Sequence, residues 1–468
     1  MRPRPLITCL LLAGAGLALP PPRLAAAPEP ARPNIVLIVA DDMGYGDATC
    51  YWKTDLQTPV MDGIARHGIR FTQLRVNPLC APTRASIMTG LYSLETGMWR
   101  GPSARAGEPD ADDAKSSRAR QLKEGIRLLP QYLKAAGYAT GMFGKWHLGY
   151  EAANGPNARG FDEFVGFLGG AHPYWLGRNA RILRNGRPFA ATGHTTDLFA
   201  DQAIAFIKAH QQQPFFCYVP FNAVHGPLRN ADRDADSAKP EWLAHYEQAG
   251  VAQPRRDYCG VMSHADQRMG DILKTLRELG LEARTLVIVV SDNGGILHTY
   301  PSNNGPLRGG KGNTYEGGIR VPAVMQWPGV IPPGSVSRAD AMHFDLFSTI
   351  LDAAGVAVPE KNGAYAVSGV SLLPHLRSGG KTALPDRHLF WDLYGQVGAL
   401  HGNWKMVGEI SNHHGKFDQA AREAEKAKFE LYNLAEDLGE KDDRSAQFPQ
   451  IYDDLKARHL SWLRQFAK

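Results

Sequence analysis

Two short, unbroken apolar runs each end in a pair of oxygen-bearing side chains, and no other pattern constrains this chain as strongly. Ile35 to Ala40 (IVLIVA) leads into Asp41-Asp42, and Leu286 to Val290 (LVIVV) leads through Ser291 into Asp292-Asn293. Apolar at every position and rich in β-branched residues, such runs suit parallel strands buried on both faces. Helix-like segments lie between them at Leu128 to Ala136 and Asp201 to His210, with further strand candidates at Phe215 to Phe221 and, more weakly, Ala139 to Phe143. Strands alternating with helical patterns predict an α/β fold, a large sheet sandwiched by helices. Ligands of an open α/β sheet bind beyond the carboxyl ends of its strands, so the two acidic endings converge on one crevice. Acids after strands also cap turns and helices. Finding both pairs in one chain favours a hard-cation site suited to Ca²⁺ or Mg²⁺ and poor for Zn²⁺.

Composition narrows the class. The 468 residues are 43% hydrophobic and 21% charged, which excludes collagen, coiled coil and wholesale disorder. Met1 to Pro5 carries Arg2 and Arg4, Leu6 to Ala18 is apolar, and Ala25-Ala26-Ala27 supplies small residues for cleavage. Residues 1–27 therefore read as a secretory signal cut near Ala27, its apolar run too short to span a bilayer. The mature protein is expected to be exported, periplasmic or secreted, without a membrane span. Of the formal charge of +5, Arg2, Arg4 and Arg23 supply three inside the leader, leaving +2 and no support for nucleic-acid binding. Cys9 leaves with the leader; Cys50, Cys80, Cys217 and Cys259 remain, too few for a disulfide scaffold.

Gly101 to Gly125 and Ala231 to Pro240 are polar and mixed in charge, as exposed insertions are. The pattern changes after about Pro374, where strand-like pieces at His388 to Tyr394, Trp404 to Glu409 and Phe429 to Leu431 precede an amphipathic stretch from Phe448 to Phe466. This predicts a main domain over residues 33–373 and a smaller C-terminal α+β domain over 374–468.

The remaining chemistry gathers around Cys80-Ala81-Pro82-Thr83-Arg84. Proline at a first helical position places Cys80 near a helix N-terminus, with Arg84 one turn along on the same face. Such a terminus attracts anions and lowers a thiol's pKa, so an anion fits between the two.

Cys80-x-Pro82-x-Arg84 resembles the signature of the type I sulfatases, in which the cysteine is oxidised to formylglycine. The other motifs of that family follow in order: Asp41-Asp42-Met43-Gly44, Gly144-Lys145-Trp146-His147, Asn222-Ala223-Val224-His225-Gly226-Pro227, Asp292-Asn293-Gly294-Gly295 and Gly309-Gly310-Lys311. The resemblance implies an alkaline phosphatase-like fold and hydrolysis of organic sulfate monoesters, of aryl or carbohydrate type. It implies one Ca²⁺ on Asp41, Asp42, Asp292 and Asn293, with Cys80, as formylglycine, both nucleophile and metal contact. Arg84, Lys145 and Lys311 would hold the sulfate and the charge on the nucleophile, while His147 and His225 handle protons. The implied partners are a sulfated small molecule or glycan and a formylglycine-generating enzyme. Thr83 stands where many members have Ser.

Substrate contacts are less constrained. His172-Pro173-Tyr174-Trp175 offers His172 as a polar contact and Tyr174 or Trp175 as a stacking face, with His298 and Arg308 as further candidates. Two rival functions keep the same residues: a phosphate or phosphonate monoester hydrolase on this scaffold, and an inactive protein that binds anionic glycans.

Overall fold

Every residue of Asn34–Ala40 is buried, and successive side chains feed two different cores. Ile35, Leu37 and Val39 face one cluster, Val36, Ile38 and Ala40 the other, as a strand covered on both faces requires. This is a computed structural model, and it describes residues 32–102, 121–177, 180–228, 236–298, 300–412 and 416–466. The expected leader, residues 103–120 of the first polar insertion and 231–235 of the second lie outside the described residues.

The central sheet comprises β1 (Asn34–Ala40), β2 (Ile69–Phe71), β3 (Ala139–Lys145), β4 (Glu163–Phe167), β5 (Leu183–Arg184), β6 (Arg187–Pro188), β7 (Phe215–Pro220), β8 (Thr285–Ser291), β9 (Ala323–Gln326) and β10 (Ser335–Ser337). Their order is β10-β2-β9-β8-β1-β7-β3-β4-β5-β6. The inner strands β8, β1, β7, β3 and β4 run parallel, whereas β9 and β5 join them antiparallel, so the sheet is mixed. All four strands expected from sequence are inner ones. The outer strands are too short, at two to four residues for most of them, to carry a periodic signal.

Helices cover both faces. On one side lie α2 (Thr195–Ala209) and α3 (Arg255–Glu278), contributing Phe199, Phe206, Met262 and Met269 to the core; on the other lie α1 (Cys80–Thr89) and α4 (Asp345–Ala353), contributing Ala81, Met88, Phe347 and Ile350. The long α3 is masked in sequence by its polar residues, although Met262, Ala265, Met269, Ile272 and Leu276 recur at helical spacing on its buried side.

Toward the C-terminus, β11 (Leu389–Leu393), β12 (Gln396–His401), β13 (Trp404–Glu409) and β14 (Glu430–Asn433) form an antiparallel sheet in chain order. The sequence pattern foretold three of these; β12 escapes because Gly398 interrupts its alternation. One face packs under α5 (Phe417–Lys426) and α6 (Pro449–Arg464). From the other face, Leu389, Trp391, Leu400 and Tyr432 meet Ile319, Met342 and Phe344. From residue 32 onward, the described residues thus make one compact unit. Cys50, Cys80, Cys217 and Cys259 are all free, and among the described residues no helix is long and apolar enough to cross a membrane.

Candidate active site

Four neighbouring parallel strands end side by side, in the order β8, β1, β7, β3, and each hands a polar segment to the same crevice. β8 supplies Asp292-Asn293, β1 Asp41-Asp42, β7 the loop to His225, and β3 Lys145 and His147. Backbone bonds stitch these ends together: Asp292 N donates to Ala40 O (3.0 Å), Asp41 N to Ala223 O (2.8 Å) and Val224 N to Asp41 O (2.6 Å). Asp42 and His147 both adopt left-handed backbone, with φ of 64° and 58°. Such conformations cost on the order of 1–3 kcal/mol each in a non-glycine residue and persist only where surroundings enforce them. Here Met43 N donates to Ser291 Oγ (3.1 Å), Ser291 Oγ donates to Asn293 O (2.9 Å), and His147 N donates to Leu168 O (3.1 Å).

Cys80 is the first residue of α1 and Pro82 the third. Proline thus sits two positions later than its spacing suggested, still within the first turn, where a missing N–H leaves no gap. Cys80 Sγ lies 3.2 Å from His147 Nδ1. One turn on, the fully buried Arg84 donates through Nε and Nη2 to Asp292 Oδ2 (2.9 and 2.7 Å) and through Nη1 to Lys145 O (3.1 Å). Lys145 Nζ donates to Asp41 Oδ2 (2.6 Å), and Lys311 Nζ to Asp42 Oδ2 (2.9 Å). His225 donates through Nδ1 to Gly226 O (2.6 Å) and holds Nε2 3.7 Å from Asp42 Oδ2. Ligand atoms of Asp41, Cys80 and Asp292 lie within 4.8 Å of one another, as do those of Asp41, Asp42 and His225.

The pairing within this cluster is incomplete in a way that a cation would complete. Burial, aided by neighbouring carboxylates, pushes Asp41 and Asp292 up to about 6 against the pull of Arg84 and Lys145. Asp42 goes the other way: burial opposes ionisation, but Lys311, His225 and Lys145 outweigh it. Burial and then the charges of Lys145 and Arg84 depress His147, which is therefore neutral at physiological pH. Among the described residues, Asp41 Oδ1 and Asn293 Oδ1 are buried without any hydrogen-bond partner. Orphaned buried oxygens are rare and costly. Two of them, beside carboxylates strained toward protonation, fit an oxygen-liganded divalent cation on Asp41, Asp42, Asp292 and Asn293.

The Sulfatase family model matches residues 33–356, and the model for the N-sulphoglucosamine sulphohydrolase C-terminal region matches residues 310–464. The chain belongs to the sulfatase family. It is 34% identical over 403 residues to N-acetylgalactosamine-6-sulfatase of Sus scrofa, covering 80% of this chain and 70% of that one. The crystal structure of Ps i-CgsB in complex with k-i-k-neocarrahexaose superposes with a TM-score of 0.79 at 28% identity, over 92% of this chain and 93% of the other. Phosphonate monoester hydrolase SpPMH from Silicibacter pomeroyi, at 19% identity and a TM-score of 0.62 over 93% and 95% of the two chains, shares the fold. The protein is a sulfuric ester hydrolase, with the mixed sheet and smaller C-terminal sheet of the alkaline phosphatase superfamily.

Not every candidate in this sulfatase joins the cluster. His172 is buried, donates through Nδ1 to Pro173 O (2.7 Å), packs on Phe167, and shares no hydrogen bond with the cluster among the described residues. Tyr174 is 1% exposed and offers no stacking face; its hydroxyl is shared between Asn222 O and His225 O (2.8 Å each) and locks the His225 loop from below. Trp175 keeps 44% of its surface exposed. His298 is exposed, whereas Arg308 turns away to Tyr432 Oη (2.9 Å) in the C-terminal sheet and to Glu440 O (2.6 Å) in the segment after it. Sequence reasoning missed the latching role of Ser291, which its place between strand and ligand pair could have suggested, and that of Tyr174, which only the fold reveals.

Proposed function

We propose that this sulfatase removes sulfate from sulfated carbohydrates through a formylglycine made from Cys80, with Ca²⁺ on Asp41, Asp42, Asp292 and Asn293. The observation that carries the proposal is the place of Cys80: first in α1, within hydrogen-bond reach of His147 and inside the carboxylate cluster. A buried thiol meant only for packing needs no such company. As a hydrated aldehyde, residue 80 would supply two hydroxyls, one as nucleophile toward sulfur in exchange for the S–O bond to the alcohol and one whose proton would be given up as sulfate leaves. A divalent cation on the four oxygen ligands would supply positive charge for the sulfate oxygens.

The remaining work falls to the chain itself. Three carboxylates and three side-chain cations leave the cluster formally neutral, so a divalent ion gives it the positive charge that an anionic ester needs. Arg84 holds Asp292 and braces Lys145 through its carbonyl. Neutral His147 is placed to accept a proton at the position of Cys80 Sγ, and His225 and Lys311, on the outer side, to protonate the departing oxygen. His172 remains a candidate contact to substrate through Nε2. The carbohydrate assignment takes support from the relatives that act on, or bind, sugars. Export with loss of residues 1–27, maturation by a formylglycine-generating enzyme, and division into domains at 33–373 and 374–468 complete the proposal.

Protein co-produced with a formylglycine-generating enzyme tests it. Mass spectrometry of the peptide holding Cys80 should show an aldehyde in place of the thiol. Sulfate should then be released from N-acetylgalactosamine 6-sulfate or carrageenan oligosaccharides, be lost with chelator and return with Ca²⁺. Full turnover by an intact thiol would overturn the nucleophile, and faster phosphate release from 4-nitrophenyl phosphate than sulfate from 4-nitrophenyl sulfate would overturn the reaction.

A further inference from the structure

We propose that Tyr300 is a specificity-determining residue, its phenol hydroxyl binding a hydroxyl of the sugar ring that carries the sulfate. The proposal rests on the carbohydrate reading above and goes beyond it in naming the contact.

Among the described residues, the cluster meets solvent only along one rim. The side chains of Asp41, Arg84, Lys145 and Asp292 have no exposed surface, and that of Asp42 only 3%. Lys311 and His225 retain 12% and 20%. His147, beside Cys80, is also partly exposed, so a sulfate seated in the cluster has its organic group leave past Lys311, His225 and His147. The stretch that follows Asp292-Asn293 borders this opening on both sides. Near Lys311, Leu297 packs against Gly310, where a Cβ would lie 3.4 Å from its Cγ. Near His225, Tyr300 packs against Gly226, whose missing Cβ would lie only 2.0 Å from the phenol oxygen and 2.4 Å from Cζ. Glycine at 226 thus leaves the room that the phenol occupies, beside the carbonyl to which the His225 ring is tethered.

Tyr300 is partly buried, and among the described residues its hydroxyl makes no hydrogen bond. Its backbone is held: Arg255 Nη1 donates to Pro301 O (2.7 Å), and Ser302 N donates to Tyr300 O (2.9 Å). Arg255 is itself fixed by Asp47 (2.8 Å) and Asp55 (2.7 Å). A donor–acceptor hydroxyl held at a mouth without a protein partner serves an oxygen-rich ligand. A sugar presents hydroxyls next to the sulfated carbon; a simple aryl ester presents none. A site built to pair with a substrate hydroxyl discriminates against the analogue that lacks it.

The test compares wild type with Tyr300→Phe, each with the aldehyde at position 80 verified by mass. The probes are N-acetylgalactosamine 4- and 6-sulfates, galactose 6-sulfate and 4-nitrophenyl sulfate. Losing one neutral hydrogen bond should lower kcat/KM for the best sugar sulfate by about fivefold to tenfold more than for the aryl ester, with the larger part in KM. Equal losses on both substrate classes would reduce Tyr300 to a structural residue, and no loss on the sugar overturns the contact outright. Wild type that cleaves the aryl ester but no sugar sulfate sinks the Tyr300 assignment and leaves the sulfatase standing. Modified enzyme that cleaves neither sinks the proposed function and Tyr300 with it.

Discussion

At the carboxyl ends of the central strands, Asp41, Asp42 and Asp292 meet Arg84, Lys145 and Lys311. Where the C-terminal sheet joins the main sheet's flank, Glu316 and Glu440 meet Arg75 and Lys405, equally buried. In this second cluster every charged head is matched. Glu316 accepts from Arg75 (2.9 Å) and Lys405 (2.9 Å), and Glu440 accepts from Lys405 (2.8 Å) and from the Glu316 backbone N–H (2.7 Å). Against the cost of burial, Arg75 and Lys405 hold the Glu316 carboxyl well below its ordinary range. Burial raises carboxyls in both clusters, Asp41 and Asp292 in the first and Glu440 in the second, but only in the first do two oxygens stay unmatched. Burial and charge count alone do not tell a ligand site from a structural ion cluster; the incomplete pairing does.

The largest effect is expected from Lys405→Met. It leaves Glu440 buried without its cation and should cost about 3–5 kcal/mol in urea unfolding. Adding Glu440→Gln should recover part of that loss, and a double mutant no better than the single would remove the pair from the argument. The next largest effect separates the clusters directly. At a hundredfold excess over its dissociation constant, Ca²⁺ should stabilise wild type by about 2.7 kcal/mol. Asn293→Ala should lose most of that gain and Lys405→Met none of it, as read from unfolding with and without the ion.

The smallest effect concerns acid. His343 is fully buried at the junction, accepting from Asn77 Nδ2 at Nε2 (3.0 Å) and facing Arg75 O with Nδ1 (3.4 Å), the pattern of a neutral ring. Burial lowers it to about 3 from an ordinary 6.5. The unfolded chain therefore takes up the proton first. The contribution is whole above pH 6.5 and is lost as the pH falls toward 3, by at most about 1.4 kcal/mol per pH unit. Unfolding midpoints at pH 7 and pH 5 should show that slope, and His343→Gln should flatten it.

Legibility in the sequence followed the range of the interactions. β1, β8 and their acidic endings were plain because a strand buried on both faces must be apolar at every position. The Cys80 segment was plain because a helix start and a one-turn spacing are local. The outer strands, β12 and α3 were not, since two-residue strands, an internal glycine and a polar-studded helix carry little periodic signal. Tyr174 was misjudged for a related reason: an aromatic in a loop reads the same whether its hydroxyl meets a sugar or two backbone carbonyls.

Local sequence alone wrote which groups are present: oxygen-bearing side chains at strand ends, a cysteine opening a helix, and lysines in glycine-rich segments, each within a short stretch. How these groups act together follows from the folded arrangement. Strand order sets Asp42 against Asp292 across 250 residues, and the β7 loop turns His225 toward Asp42. The C-terminal sheet anchors the segment of Lys311, and Gly226 leaves room for Tyr300. Each of these is a contact between segments distant in the chain, fixed by packing and loop geometry that no local pattern records.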